Sequence, residues 1–194
     1  MKLYFGRHAE AESGAQMDPT RKLTDTGKRQ AKMMGKWLTR QVEGPCIVVQ
    51  SNFHRSRSTA KRYAKQLDVE PITSGFLDPE NDPANTWTEL KRLATANKVQ
   101  NVVAVSHGPL VEKMLAHLTG APLPQQFHFA HAAIAHFDTT SGNRGILHWL
   151  VTPNVVARDE DEQENVVREA LQTALALADA AVAMVPDTEA VSVA

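Results

Sequence analysis

Cysteine is almost absent: Cys46 is the only one in 194 residues. A single thiol forms no internal disulfide and cannot build a zinc ribbon, so a reducing, cytoplasmic setting is expected. No run of 18 apolar residues occurs, so no helical membrane span is expected. The opening Met1-Lys2-Leu3-Tyr4-Phe5-Gly6 lacks the apolar length of a secretory signal. Charge of one sign is missing too, since 21 Lys and Arg face 22 Asp and Glu. A nucleic-acid binder ordinarily carries a basic excess, so no nucleic-acid partner is expected. The 42% of hydrophobic residues is enough to form a core. The length fits one domain with an appendage.

The charge is unevenly spread. Residues 1–157 hold 19 basic and 13 acidic residues, whereas 158–194 hold 2 and 9. The switch marks a boundary near Arg158, between a mildly basic domain over 1–157 and an acidic, Ala-rich tail over 158–194. A mildly basic domain suits anionic ligands.

Strand and helix signals alternate along the first part. Lys2-Leu3-Tyr4-Phe5 predicts a buried strand ended by Gly6. Thr24 predicts the cap of a helix to about Gln41, with Ala31, Met34, Trp37 and Leu38 at helical spacing. Gly44-Pro45 breaks that helix. Cys46-Ile47-Val48-Val49-Gln50 and Asn101-Val102-Val103-Ala104-Val105-Ser106 are apolar runs of strands buried on both faces. Helices are expected from about Arg55 to Leu67, after the Asp82-Pro83 pair, and from Pro109 to Gly120. Two more strands, near 131–138 and 146–151, flank the turn Ser141-Gly142-Asn143. This pattern predicts a three-layer α/β/α domain around a mainly parallel sheet, plus a C-terminal helix.

In such sheets ligands bind beyond the carboxyl ends of the strands. Arg7-His8 follows the first strand, Ser51-Asn52-Phe53-His54-Arg55 the second, and Ser106-His107-Gly108-Pro109 the third. Two histidines and two arginines thus converge at one sheet edge. The guanidinium fork fits phosphate oxygens, and the helix start behind Pro109 adds amide groups. An imidazole can attack phosphorus. The set points to phosphoryl transfer through a phosphohistidine, with no metal or other cofactor required.

Arg7-His8-Ala9 resembles the Arg-His-Gly signature of the histidine phosphatase superfamily, also called phosphoglycerate mutase-like. The segment from Ser51 through Arg55 to Thr59 is similar to its Ser-Pro-x-x-Arg-Ala-x-Gln-Thr run, and Ser106-His107-Gly108 to its second-histidine segment. Arg21-Lys22-Leu23-Thr24-Asp25-Thr26-Gly27 resembles its Arg-Pro-Leu-Thr-x-x-Gly run. The likeness covers roughly 1–154, and short, uncapped SixA-type phosphohistidine phosphatases look most alike. The resemblance implies His8 as nucleophile and Arg7, Arg55 and His107 as the phosphate pocket, His107 adding charge if protonated. It further implies phosphate or substrate contacts from Ser51, His54, Arg21 and Gly108. The other nitrogen of His8 should then donate to a backbone carbonyl.

Three departures stand out. Ala9 replaces Gly, Asn52 replaces Pro, and no Leu-x-Glu segment supplies a general acid. Glu80, Asp78, Asp82 and Asp18 are the candidates for that acid, with Asp82 also suited to cap a helix. A weak acid favours a labile P–N bond over an alkyl phosphate.

Only 52 positions separate Arg55 from His107. That span has no room for a lid, so an open site is expected, suited to phosphohistidine displayed on a protein. A small phosphate ester is the alternative substrate, and a phospho-binding module without turnover the alternative role. His128, His131 and His136 are read as rim residues rather than metal ligands, because His131 and His136 fall on opposite faces of a strand. His117 and His148 are read as ordinary surface or partly buried residues, and Cys46 as inert. In the tail, Val167, Leu171, Ala174, Ala178, Ala181 and Val185 make a heptad seam on a helix over 159–185. That seam either packs on its own domain or pairs two chains as a homodimer.

Overall fold

The computed structural model describes residues 1–139 and 144–159. The chain divides into two units, Met1–Val156 and Ala157–Ala194. The predicted turn at 141–143 and the seam from Val167 to Val185 lie outside the described residues.

The first unit runs β1 (Lys2–Arg7), α1 (Asp25–Leu38), β2 (Cys46–Gln50), α2 (His54–Leu67) and β3 (Ile72–Thr73). It continues through α3 (Pro83–Ala96), β4 (Asn101–Ser106), α4 (Leu110–Thr119), β5 (Ile134–Asp138) and β6 (Ile146–Val151). The sheet order is β3-β2-β4-β1-β5-β6. The pairs β1–β4, β2–β4 and β2–β3 are parallel, while β1–β5 and β5–β6 are antiparallel. This is the expected α/β class with a mainly parallel sheet.

The apolar runs become strands because both faces of the sheet are covered. Leu3, Phe5, Val49 and Ala104 pack with Trp87, Leu90, Leu110 and Met114 of α3 and α4. Tyr4, Val48, Val103 and Val105 pack on the other face with Ala31, Met34, Ala60 and Tyr63 of α1 and α2. Each large side chain buried in this way contributes about 1.5–3 kcal/mol. Among the described residues no helix is long and apolar enough to cross a membrane.

Several boundaries differ from expectation. Gly6 does not end β1, which continues to Arg7. A Cβ at Gly6 would lie 3.1 Å from the Ile134 side chain, so glycine serves close packing there. α1 stops at Leu38, where the bonds Arg40 N–H to Trp37 O and Gln41 N–H to Leu38 O tighten the last turn. β5 starts at Ile134 rather than 131, after a turn. His131 therefore precedes the strand instead of lying on it. The two-residue β3 has no periodicity to announce it.

Three caps match their sequence signals. Thr24 Oγ1 accepts the Gly27 N–H at 3.0 Å. Asp82 accepts the Asn85 N–H at 2.8 Å ahead of Pro83. Gly120 closes α4 in the left-handed region, at φ 70°.

Candidate active site

β1, β2 and β4 end side by side, and the polar groups come from residues at or just beyond those ends: Arg7 and His8 at the end of β1, Arg55 at the start of α2, and His107 after β4. His8 N–H donates to Ser106 O at 2.9 Å, joining two of the strand ends. His8 is buried, 4% exposed. Its Nδ1 lies 2.7 Å from Ala9 O, an acceptor, so Nδ1 carries the proton. Its Nε2 accepts from Arg55 Nε–H at 3.1 Å and therefore bears the lone pair. Burial, with His107, Arg55 and Arg7 nearby, holds the imidazole well below its usual pKa despite the opposing Ala9 bond. The expected backbone partner for the second nitrogen is thus present.

Arg55 is 1% exposed at the start of α2. Besides His8 it binds Asp18 O at 2.8 Å and Gln16 O at 2.7 Å. The guanidinium lies over the Phe53 ring, 4.7 Å from its centroid. Burial, with Arg21 and Arg7 close by, lowers its pKa to about 10, opposed by Asp18. Arg7 donates to Phe129 O at 2.6 Å, and its Nε is buried with no partner among the described residues. Burial lowers its pKa, Glu112 opposes that, and Arg21 reinforces it.

The His107 ring stands 5.1 Å from that of His8, and its Nε2 is 2.6 Å from Ser51 Oγ. Burial, then Arg55, Arg7 and Arg21, push its pKa down to about 3. Loss of water and the three guanidinium groups all oppose a proton on His107, so the condition under which it would add charge is not favoured here. Its Nδ1 is buried without a partner among the described residues.

Arg7, His8 and Arg55 floor a cleft of about 710 Å³, which Arg21, Glu80 and Gly108 also help to line. One wall is the loop between β1 and α1, which brings Gln16, Met17 and Arg21. Gln16 Nε2 reaches across to Gly108 O at 2.6 Å. The opposite wall is the segment before β5, with Leu123, Pro124, Phe127, His128 and His131.

Residues 3–78 match the histidine phosphatase superfamily (branch 1). The phosphohistidine phosphatase SixA of Escherichia coli is 28% identical over 155 residues, covering 79% of this chain and 94% of that protein. The SixA homolog of Haemophilus influenzae is 29% identical over 148 residues, covering 71% and 89%. The solved structure of SixA complexed with tungstate is 28% identical, with a TM-score of 0.70, and covers 80% of this chain and 99% of that one. The chain thus resembles the histidine phosphatase superfamily in sequence and in fold.

The superfamily motifs sort themselves on this scaffold. Arg7, His8, Arg55, Arg21 and Gly108 line the cleft, with His107 packed against His8. Ser51 lies behind His107 as its hydrogen-bond partner. His54 is not among the lining residues, and its Nδ1 is 3.3 Å from Ser58 Oγ. Of the four acid candidates only Glu80 lines the cleft. Asp78 is occupied by the backbone and side-chain amides of Asn52, Asp82 caps α3, and Asp18 binds Thr20. The bonds from Thr20 hold the Asp18 pKa below the usual carboxylate range. Among the described residues no cluster of His, Cys, Asp or Glu is arranged to hold a metal ion.

Glu112, in the first turn of α4, was not legible as a site residue. It lines the cleft, its Oε1 accepts from Phe129 N–H at 3.0 Å, and its Oε2 is buried without a partner among the described residues. Arg7 and Glu112 thus clamp the two sides of one peptide unit's residue, Phe129. No spacing in the chain joins position 112 to position 129, so no sequence signal was available.

Proposed function

We propose that the chain is a metal-independent phosphatase acting on phosphohistidine displayed by a protein, with His8 as the covalent nucleophile. The observation that carries this reading is the state of His8: neutral, proton on Nδ1, lone pair on Nε2 beside Arg55. Nε2 attacks phosphorus, and the bond to the leaving nitrogen breaks with its electron pair passing to the substrate imidazole. That imidazole takes up a proton, with Glu80 the candidate donor. Water then attacks phosphorus, inorganic phosphate leaves, and Nε2 recovers its lone pair. During attack the Arg55 Nε–H passes from Nε2 to a phosphoryl oxygen. The unpartnered Arg7 Nε–H is a second donor, and His107 Nδ1 a third if Ser51 donates to Nε2. Fixed donors aimed at developing charge supply the main rate term in such a site. The SixA proteins it resembles, and the lidless cleft, support a protein-borne substrate over a small ester.

The reading places the chemistry in 1–157, in a cytoplasmic setting, and leaves 158–194 to association. The test is phosphate release from a phosphohistidine protein, an aryl phosphate and a sugar phosphate. His8→Ala should abolish release with folding unchanged, and a rapid quench of the parent protein should trap acid-labile, base-stable phosphate on His8. Turnover that persists in His8→Ala would sink the covalent route. Activity should survive EDTA, and its loss with rescue by zinc or magnesium would overturn the metal-free reading.

A further inference from the structure

The positive charge of residues 1–157 is concentrated on one face. Nine of the 19 basic residues before position 158 lie in α1 and α2, against one of the 13 acids, Asp25. The rest of that stretch is slightly acidic. Arg55 is buried in the site, and the other eight cations belong to the outer layer. Lys28, Lys32 and Lys36 recur every four residues on α1, as do Arg57, Lys61 and Lys65 on α2. Residues four apart stack on one side of a helix, so each triplet forms a stripe. All six are exposed.

The stripes lie side by side. A Cβ on Gly35 would come within 3.0 Å of Arg62 O, so the two helices approach closely there. A groove between them is lined by Arg29 and Arg62 along with members of both stripes. Asp25 is taken by Lys28 at 2.7 Å. Lys32, Arg57, Lys61 and Lys65 make no ion pair among the described residues. Like charges at this spacing cost helix stability, so the pattern works against the fold that carries it.

The face also adjoins the site. α1 follows the loop that brings Gln16, Met17 and Arg21 to the cleft, and α2 begins at His54 and Arg55. Arg57 is two residues beyond Arg55, so the α2 stripe starts within one turn of the site residue and extends about 12 Å along the helix away from it. The aromatic residues of these helices, Trp37 and Tyr63, are buried. The face therefore offers no stacking platform of the kind that single-stranded nucleic acid uses.

We propose that the α1–α2 face docks an acidic surface of the protein that presents the phosphohistidine, a proposal that rests on the phosphoprotein reading above. Charge complementarity of this kind steers encounter and selects partners. Two synthetic peptides, each with one phosphohistidine, flanked by Glu in one and by Gln in the other, test it. The Glu-flanked peptide should show kcat/KM higher by about tenfold at low salt, falling toward parity at high salt. The triple variant Lys32→Glu, Lys61→Glu, Lys65→Glu should lose that preference while its aryl phosphate turnover stays unchanged, which certifies fold and site. Equal kcat/KM for both peptides in the parent protein, or a preference that the variant retains, overturns the proposal. If neither peptide is hydrolysed while the aryl phosphate is, the phosphohistidine reading fails. Binding of the unphosphorylated Glu-flanked peptide then decides docking: loss of binding in the variant supports it, and no binding by the parent protein overturns it. A DNA duplex that binds the face more tightly than the acidic peptide also overturns it.

Discussion

His8, His107 and His136 share one departure at the residue scale: burial keeps all three from taking a proton near the ordinary pH. His107 sits at about 3 and His136 at about 4, against 6.5 for a solvated imidazole. In the unfolded chain each binds a proton as pH falls through 6.5, whereas the folded chain does not. The unfolded state then holds more protons, so stability falls with acidification below 6.5 and is fully present above it. The melting temperature should decline between about pH 7.5 and 5, and the three imidazoles should show no NMR titration across that window. His136 gives a clean test, because its ring stacks on Tyr4 at 4.5 Å while both nitrogens are buried without partners among the described residues. His136→Phe keeps the stacking shape and should flatten the pH slope of melting. An unchanged slope would show that His136 has no part in it.

At the scale of elements, the loop between β1 and α1 is fixed by the helix that follows it. Thr24 N–H donates to Glu10 O, Thr24 Oγ1 donates to Glu10 Oε1 at 2.6 Å, and Ala11 pairs with Leu23. A Cβ on Gly27 would overlap the Glu10 carbonyl. Backbone occupies that space and cannot swing aside. Gly27→Ala should therefore displace the loop that carries Gln16, Met17 and Arg21. It should cost about 1–3 kcal/mol in a denaturant melt and lower turnover as well. Normal turnover in Gly27→Ala would mean the loop is not needed in that place. Most elements were legible because strands covered on both faces read as unbroken apolar runs, and because Thr24, Asp82 and Gly120 sit where caps belong. Arg7, His8 and His107 at the strand ends, and Arg55 in the first turn of the helix after β2, were legible for the same topological reason. The two-residue β3 was not, since two residues carry no period. The lowered pKa of His107 was not either, because it depends on the burial of the ring and on the Arg55, Arg7 and Arg21 guanidinium groups around it. Glu112 stayed hidden because its partner is supplied by a loop 17 residues further on.

At the scale of the whole molecule, the half-buried Arg7 and the buried Arg55 are cations with few carboxylates to balance them. Arg55 spends its donors on two carbonyls and a neutral imidazole, and the Arg7 Nε–H spends its own on nothing among the described residues. A fold that holds charge in this way gains free energy when an oxyanion arrives, and only the folded form can take it up. Inorganic phosphate or tungstate should therefore raise the melting temperature, by about 2.7 kcal/mol of added stability at a concentration one hundred times the dissociation constant. Every residue lining the cleft precedes position 132, so a chain cut after Ala157 should show the same rise and the same aryl phosphate turnover. A rise that vanishes on truncation would place part of the anion site in the tail. The two site arginines thus make heat resistance a gauge of site occupancy, readable in a catalytically silent variant and before any physiological substrate is in hand.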